Sequence, residues 1–347
     1  VERDTFAITV VIPAYNEAGR IADAIKSAHA QTEPPAEVLV IDDGSTDETA
    51  SIARSLGVRV LSQRNAGVSA ARNLAIQKAS CPWVAFCDAD DILLPDKLAA
   101  VRQAHEAWPS VDFIFTDYRM LVDGRTTVDS TFARVPDIGE NISVQVTEDI
   151  AYFERRALAR ALAGTNFILP STIVVRRSLL VDREIAFATH LPNTKDFFIG
   201  EDIEWYFRLL VHTDALAIAR VLTEHRRHPG SLSEDSGRLK YGDVILGERM
   251  ARAPDLYVEG AAEAFARNRR RHVREAALYY FRALRFRESR AKLDEAQRIA
   301  FLPTDALLGA LATLGAMPGG MPLARLGRRA WREALKPALG LLQRRAV

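Results

Sequence analysis

The sequence predicts an α/β chain, with a mostly parallel central sheet flanked by helices and a helical C-terminal extension. Three observations carry this. Through roughly the first 118 residues, short apolar or β-branched runs alternate with stretches at helical spacing, the pattern of parallel strands joined by crossover helices. Three of those runs end in polar loops: Pro13 to Glu17, Asp42 to Asp47, and Asp88 to Asp91. Beyond about residue 236 the clearest patterns are helical.

Taken in order, Ile8 to Ile12 is a β-branched run and reads as a buried strand. A helix is expected from about Arg20 to Gln31, with Ile21, Ala24, Ile25 and Ala28 on one face, and Pro34-Pro35 ends that unit. Val38 to Ile41 is the second strand, followed by a helix through Leu56 and a strand at Val58 to Leu61. Gln63 to Gly67 reads as a turn and Val68 to Ala79 as a helix. Trp83 to Cys87 is the next buried strand, and Lys97 to Trp108 the next helix. Asp112 to Tyr118 is a strand leading to a hairpin turn at Asp123-Gly124. A helix is expected over Thr147 to Ala163, within an irregular stretch that covers the site or elaborates the surface. Thr172 to Arg176 returns as a strand. Gly200-Glu201-Asp202 opens a helix with Ile203, Phe207 and Leu210 on one face, and Glu224 to Ser233 reads as a polar loop.

In a parallel sheet, ligands bind outside the carboxyl ends of the strands. The three polar loops would share that rim, and so form one candidate site. The richest of them holds Asp88, Asp90 and Asp91 within four positions. Clustered carboxylates repel one another unless a cation, a donor group or water compensates. Oxygen-rich sites suit Mg²⁺ or Mn²⁺, which also bridge to substrate phosphates. No G-x-G-x-x-G follows the first strand and no G-x-x-x-x-G-K-[ST] occurs, so no glycine loop is there to cradle phosphate. Read alone, each acidic turn is also a plain helix start, because acids there offset the helix dipole.

Composition excludes some classes. At 347 residues the chain can bury one large core or two smaller ones. A formal net charge of +1 provides no global field for nucleic acid, which is not an expected partner. Cys81 and Cys87 lie six apart beside or within one expected strand, too far to bridge, and low cysteine use fits a reducing cytosol. The charged start Val1-Glu2-Arg3-Asp4 lacks the apolar core of a secretory leader, and since it does not begin with Met, residues are expected to precede it. The longest uncharged run, Ala306 to Ala324, is broken by Pro318, Gly319, Gly320 and Pro322, which argues against a spanning helix.

The chain resembles glycosyltransferase family 2, of the GT-A (nucleotide-diphospho-sugar transferase) fold. The residues that carry the resemblance are Val10 to Glu17 (VVIPAYNE), Val40 to Asp47 (VIDDGSTD), Asn65 to Asn73 (NAGVSAARN), Asp88-Ala89-Asp90-Asp91, Glu201-Asp202 and His228-Pro229-Gly230-Ser231. Each is weak alone; all six in order are specific, and they cover roughly the first 235 residues. The resemblance implies a catalytic domain over 1–235, with a donor half to about 118 and an acceptor half from about 119, and an extension over 236–347. It implies that Pro13, Ala14, Tyr15 and Glu17 line the nucleotide pocket, that Asp43 bonds the base, that Arg72 and Ala89 meet the nucleotide, and that Asp88 holds the ribose. Asp90 would bind Mn²⁺ or Mg²⁺, and His228 would be a second ligand or a diphosphate contact. Asp202, with Glu201 beside it, would be the catalytic base. The chemistry agrees: the leaving diphosphate needs a cation, and the acceptor hydroxyl needs a base on the opposite face of the sugar, which gives inversion.

The implied substrates are a nucleotide-sugar donor, UDP-sugar favoured, and a sugar or lipid-linked acceptor in surface polysaccharide or glycolipid assembly. The chain departs from processive members of the family: no Q-x-x-R-W follows the Glu201-Asp202 helix and no multi-span region occurs, and both point to transfer of one sugar rather than many. Two other classes fit the residues less well. A non-catalytic nucleotide-sugar-binding protein would not need the acids at Asp88, Asp90 and Asp202. A sugar nucleotidyltransferase usually carries a glycine- and Arg/Lys-rich loop after its first strand, and Pro13 to Glu17 is not one.

Arg267 to Ala300 reads as a helical hairpin bending near Phe286-Arg287, with Ala276, Tyr280, Ala283 and Leu284 on one stripe. Residues 302–347 hold seven Lys or Arg against two acids, with Trp331, Leu335, Leu339 and Leu342 as an apolar stripe interrupted by Pro337. That segment reads as a peripheral contact with an anionic membrane, a homodimer contact, or a tail on its own domain. The expected location is cytoplasmic, the first of these readings adding the cytoplasmic membrane face.

Overall fold

The run from Ile8 forms strand β1 (Ile8–Ala14), buried along its whole length, and so belongs in the middle of a sheet covered on both faces. In this computed structural model, residues 6–135, 138–191, 199–228, 236–283 and 285–299 are described. The sheet contains β1, β2 (Glu37–Asp42), β3 (Arg59–Ser62), β4 (Trp83–Phe86), β5 (Ile92–Leu93), β6 (Phe113–Val122), β7 (Arg125–Val128), β8 (Val144–Gln145), β9 (Ile150–Phe153), β10 (Ile173–Arg176) and β11 (Ala215–Arg227). The main path runs β3-β2-β1-β4-β10-β6-β11-β9-β8, with β5 paired to β11 and β7 to β6.

From β3 to β4 every pairing is parallel. Ala14 lies opposite Asp42, so the C-terminal ends of β1 and β2 reach one rim together, as β4 does beside them. Beyond β4 the sheet is mixed: β10 is antiparallel to both β4 and β6, and β11 is parallel to β6. The helices α1 (Ile21–His29), α2 (Thr49–Ser55), α3 (Val68–Lys78) and α4 (Lys97–Ala107) are the crossovers between the early strands. Ile21, Ala24, Ile25 and Ala28 of α1 are all buried, as their spacing requires. They pack with Val10, Ile12, Trp83 and Ala85 of the sheet and Leu98 and Val101 of α4. Each fully buried isoleucine or valine among them contributes about 1.5–3 kcal/mol over its exposed state. Asp123 and Gly124, with φ of 50° and 72°, make the tight turn between β6 and β7.

Three sequence expectations are corrected. The helix expected over Thr147 to Ala163 is a strand, β9, followed by a shorter helix, α5 (Arg155–Gly164). Ile150 to Phe153 pairs antiparallel with β11, a partner 62 residues or more away that local periodicity does not reveal. The polar loop expected from Glu224 is, through Arg227, the end of the thirteen-residue strand β11. It is held by pairing with Arg119 to Val122 of β6, so backbone bonds rather than apolar side chains extend it past the core. In the C-terminal hairpin, Ala276 and Tyr280 are buried, but Ala283 is exposed, because α9 (Ala261–Arg282) has ended before it.

The chain divides into two compact units, one of Val1–Pro192, Ile199–Ser231 and Gly247–Ala264, the other of Asn193–Phe198, Leu232–Leu246 and Phe265–Val347. The first holds the sheet, α1 to α5, α6 (Arg177–Asp182) and α7 (Glu201–Leu209). The second is helical where described, with parts of α8 (Ser236–Arg252) and α9 and all of α10 (Phe286–Ile299). Within it, Val244, Val273 and Ala296 form a small core, and the Ser289 hydroxyl donates to the Ala277 carbonyl at 2.9 Å. Cys81 and Cys87 are both buried and unbridged. Among the described residues no helix is long and apolar enough to cross a membrane. Leu284, Pro229 to Ser231 and the basic segment 302–347 lie outside the described residues.

Candidate active site

The loops after β1 and β2 are laced to each other. Asn16, at φ 55°, accepts from the Thr46 N–H at 2.8 Å, and its own N–H donates to Ser45 Oγ at 3.0 Å. Glu17 N–H donates to Thr49 Oγ1 at 2.7 Å and Ala18 N–H to Asp47 at 3.1 Å. These bonds use the Ser45, Asp47 and Thr49 side chains to fix the two loops to each other. Asp43 is buried and accepts from Gln63 Nε2 at 2.6 Å, Ala66 N–H at 2.9 Å and Gly67 N–H at 2.8 Å. Its carboxylate therefore shapes the Gln63–Gly67 turn. Gly44, at φ +78°, passes so near this turn that a Cβ would meet Asn65 N at 2.8 Å.

Arg72 projects from α3 and is 3% exposed. Its guanidinium donates to Asp88 at 2.7 Å and to Glu201 at 2.8 Å, and its carbon lies 5.3 Å from the Phe187 ring centre. Phe187 stacks in turn on Trp205 of α7 at 4.5 Å. Charge-assisted bonds to two carboxylates hold the Arg72 pKa above its usual value despite burial. Among the described residues its Nε is buried without a hydrogen-bond partner. The chain Asp88–Arg72–Glu201 thus joins the tip of β4 to the start of α7.

The end of β11 grips the other half of the acid loop. Asp91 is 1% exposed and meets His225 Nδ1 at 3.0 Å and the Arg226 N–H at 3.1 Å. Arg226 Nε donates to the Asp90 carbonyl at 2.7 Å. His228 Nε2 lies 3.1 Å from Asp90 Oδ2. Burial, then the charges of Asp91, Asp88 and Glu17, push the Asp90 carboxyl up to about 7. Burial likewise raises Asp88, against the pull of Arg72. Burial first, and then mutual repulsion, disfavour the charged carboxylates of this loop, a condition a divalent cation relieves.

The residues fit such an ion only in part by themselves. Among the described residues no three His, Cys, Asp or Glu groups already converge as a metal site. Asp90 and His228 supply one carboxylate and one imidazole in contact, and a diphosphate with water can supply the rest, as is usual for Mg²⁺ at phosphate sites.

Asp202 sits in the first turn of α7, where the Ile203 N–H lies 2.8 Å from its Oδ1 and the Tyr206 hydroxyl 3.5 Å from its Oδ2. A Cβ on Gly200 would stand 2.6 Å from Asp202 Oδ1, so glycine keeps that space open. Burial first, then Glu201, raises the Asp202 carboxyl to about 7. Glu201, beside it, is tied to Arg72 at 2.8 Å.

Of the residues expected in the nucleotide pocket, Tyr15 is 47% exposed on the rim, whereas Pro13, Ala14 and Ala89 are buried and contribute backbone shape. Glu17 pairs with Arg20 at 2.6 Å. Sequence reasoning missed Lys97, Ser171, His225, Arg226, Phe187 and Tyr206. For most of them the partners lie far off in sequence, 134 residues separating His225 from Asp91; Tyr206 lies one helical turn after Asp202, and that spacing was its signal.

The family model described as glycosyl transferase family 2 matches residues 9–181. The chain is 30% identical over 285 residues to the succinoglycan biosynthesis protein ExoU of Rhizobium meliloti (strain 1021), covering 77% of this chain and 75% of that one. It is 27% identical over 235 residues to the putative teichuronic acid biosynthesis glycosyltransferase TuaG of Bacillus subtilis (strain 168), covering 66% and 82%. Among solved structures, the mannosyltransferase PcManGT from Pyrobaculum calidifontis in complex with GDP-Man and Mn²⁺ superposes with a TM-score of 0.54 at 20% identity, over 94% of this chain and 86% of that one. S. aureus TarS 1-349 in complex with UDP-GlcNAc superposes with a TM-score of 0.54 at 18% identity, over 79% and 72%. These two likenesses concern the fold.

Proposed function

The chain belongs to glycosyltransferase family 2, and from that premise we propose that it transfers a single sugar, with inversion, from a nucleotide-diphospho-sugar to an acceptor hydroxyl. The donor is a UDP-sugar and the acceptor a sugar or lipid-linked sugar of a surface polysaccharide or glycolipid. The single observation that carries this is the gathering, on one rim, of the Asp90–His228 contact, the Asp88–Arg72–Glu201 chain and Asp202.

Asp90 and His228 would hold Mn²⁺ or Mg²⁺, which supplies charge for the departing diphosphate. Pro13, Ala14, Tyr15 and Glu17 would line the nucleotide pocket with Arg72 and Ala89, Asp43 would bond the base, and Asp88 has a second oxygen for the ribose. Asp202 takes the proton of the acceptor hydroxyl as that oxygen bonds to the anomeric carbon. The bond from that carbon to the diphosphate oxygen breaks, and the nucleoside diphosphate leaves with the electron pair. One base acting on the face opposite the leaving group inverts the anomeric centre, by analogy with inverting hydrolases. Residues 1–118 form the donor half and 119–235 the acceptor half of this proposal. The basic segment 302–347, in the extension 236–347, is proposed to meet an anionic membrane at its cytoplasmic face or a second subunit.

A donor screen tests the reading. Thermal shifts against UDP-, GDP- and dTDP-sugars, each with and without Mn²⁺, should show one family of donors raising Tm, and more so with the metal. At a hundredfold excess over Kd the gain is about 2.7 kcal/mol. No shift with any donor, in either condition, would contradict it.

A further inference from the structure

Lys97, the first residue of α4, is fully buried. Its ammonium donates to Thr116 Oγ1 of β6 at 3.1 Å, to the Ser171 carbonyl at 3.0 Å and to Thr223 Oγ1 of β11 at 3.1 Å. An ammonium has three donors, and here all three end on uncharged oxygens. Burying a cation without a carboxylate in contact is costly, and burial pushes the Lys97 pKa down to about 7. A side chain needed only to fill space would not end on three hydrogen-bonding oxygens.

What the ammonium holds is specific. Ser171 lies in the 3₁₀ turn Pro170–Thr172; its carbonyl accepts from Lys97 and from Thr223 Oγ1 at 3.1 Å, and its hydroxyl accepts the Asp88 N–H at 2.9 Å. Thr223 pairs with Leu93 of β5 and precedes by two and three residues the His225 and Arg226 that grip Asp91 and Asp90. Two of the three bonds therefore lead, by separate routes, to the Asp88–Asp91 loop.

We infer that Lys97 is a positioning residue for the Asp88–Asp91 loop, fixing the Asp88 main chain and the end of β11 in the register at which Asp90 meets His228. This rests on the reading of that loop as the metal and nucleotide site. Lys97 touches neither Asp90 nor His228, so it acts through Ser171 and Thr223.

Lys97→Met tests it. A thioether of similar length removes a buried charge, and the Ser171 carbonyl keeps the Thr223 hydroxyl, so the variant should fold with a Tm no lower than wild type. Mn²⁺-dependent UDP binding should weaken about tenfold or more, as when residues behind a metal ligand are lost. Exchange of the Asp88 amide, followed by NMR without metal, should be about tenfold faster. In an Asp90→Ala background Lys97→Met should add little further loss of UDP binding. A folded Lys97→Met protein with unchanged UDP binding and unchanged Asp88 exchange overturns the inference. Should Lys97→Met fail to fold, Ser171→Ala cuts only the link to Asp88; the same two losses are expected, and their absence overturns it. Wild-type protein that binds UDP without regard to Mn²⁺ would count against the functional reading instead, while the metal-free exchange still decides the role of Lys97.

Discussion

Asp202→Asn will lower sugar transfer by about 10²-fold or more while the nucleotide-sugar still binds. The substitution keeps the shape beside Gly200 and Tyr206 but cannot accept the acceptor's proton. In the wild type, turnover should fall as pH drops through about 7, because the folded protein holds the Asp202 carboxyl up to that value. The same shift bears on stability. Its folded pKa is raised from an ordinary 3.8 to about 7, so between those values the folded state keeps a proton that the unfolded state has released. Stability is therefore lost as pH rises across that window. Asn removes the loss, so Asp202→Asn should have a higher Tm than wild type at pH 8, and little advantage at pH 4. An inactive variant that is also less stable at pH 8 would mean that the substitution disturbed α7 and not the base. Retained turnover would move the proton transfer to another acid.

Asp90→Ala should abolish the Mn²⁺ dependence of nucleotide binding and weaken binding in the presence of metal on the order of 10²-fold, since the ion contributes several kcal/mol at such sites. The fold should survive. Among the described residues the Asp90 carboxylate is in hydrogen-bond contact with His228, and its raised carboxyl is held against burial and the charges of Asp91, Asp88 and Glu17. Removing it relieves that repulsion, while the Asp90 carbonyl that Arg226 grips belongs to the backbone and remains. Titration of UDP with and without Mn²⁺ checks this. Equal affinity and equal metal dependence in wild type and variant would place the ion elsewhere.

The first four strands and their crossovers were legible because the information was local. Each buried strand is a β-branched or apolar run, α1 has one apolar face, and each polar loop follows a strand end, so the shared rim followed from parallel topology. β11 was not legible: its last four residues, Glu224 to Arg227, carry no apolar signal, and β6 makes them a strand. β9 was hidden for the same reason, its partner being β11. In the site, residue types announced the acids but not their division of labour. Asp91 is a buried anchor for His225, Asp43 organises a turn, and Arg72 divides itself between Asp88 and Glu201. Lys97 at a helix start reads as a surface cation; only the approach of Thr116, Ser171 and Thr223 from three other elements buries it.

The measurement that bears most directly on the proposed site is anomalous diffraction at the manganese edge from crystals grown with Mn²⁺ and UDP. A peak within about 2–2.5 Å of an Asp90 carboxylate oxygen and of His228 Nε2, with diphosphate oxygens completing the shell, is the predicted result. A UDP diphosphate bound on the rim with no peak at Asp90, or a manganese held by other residues altogether, would contradict it.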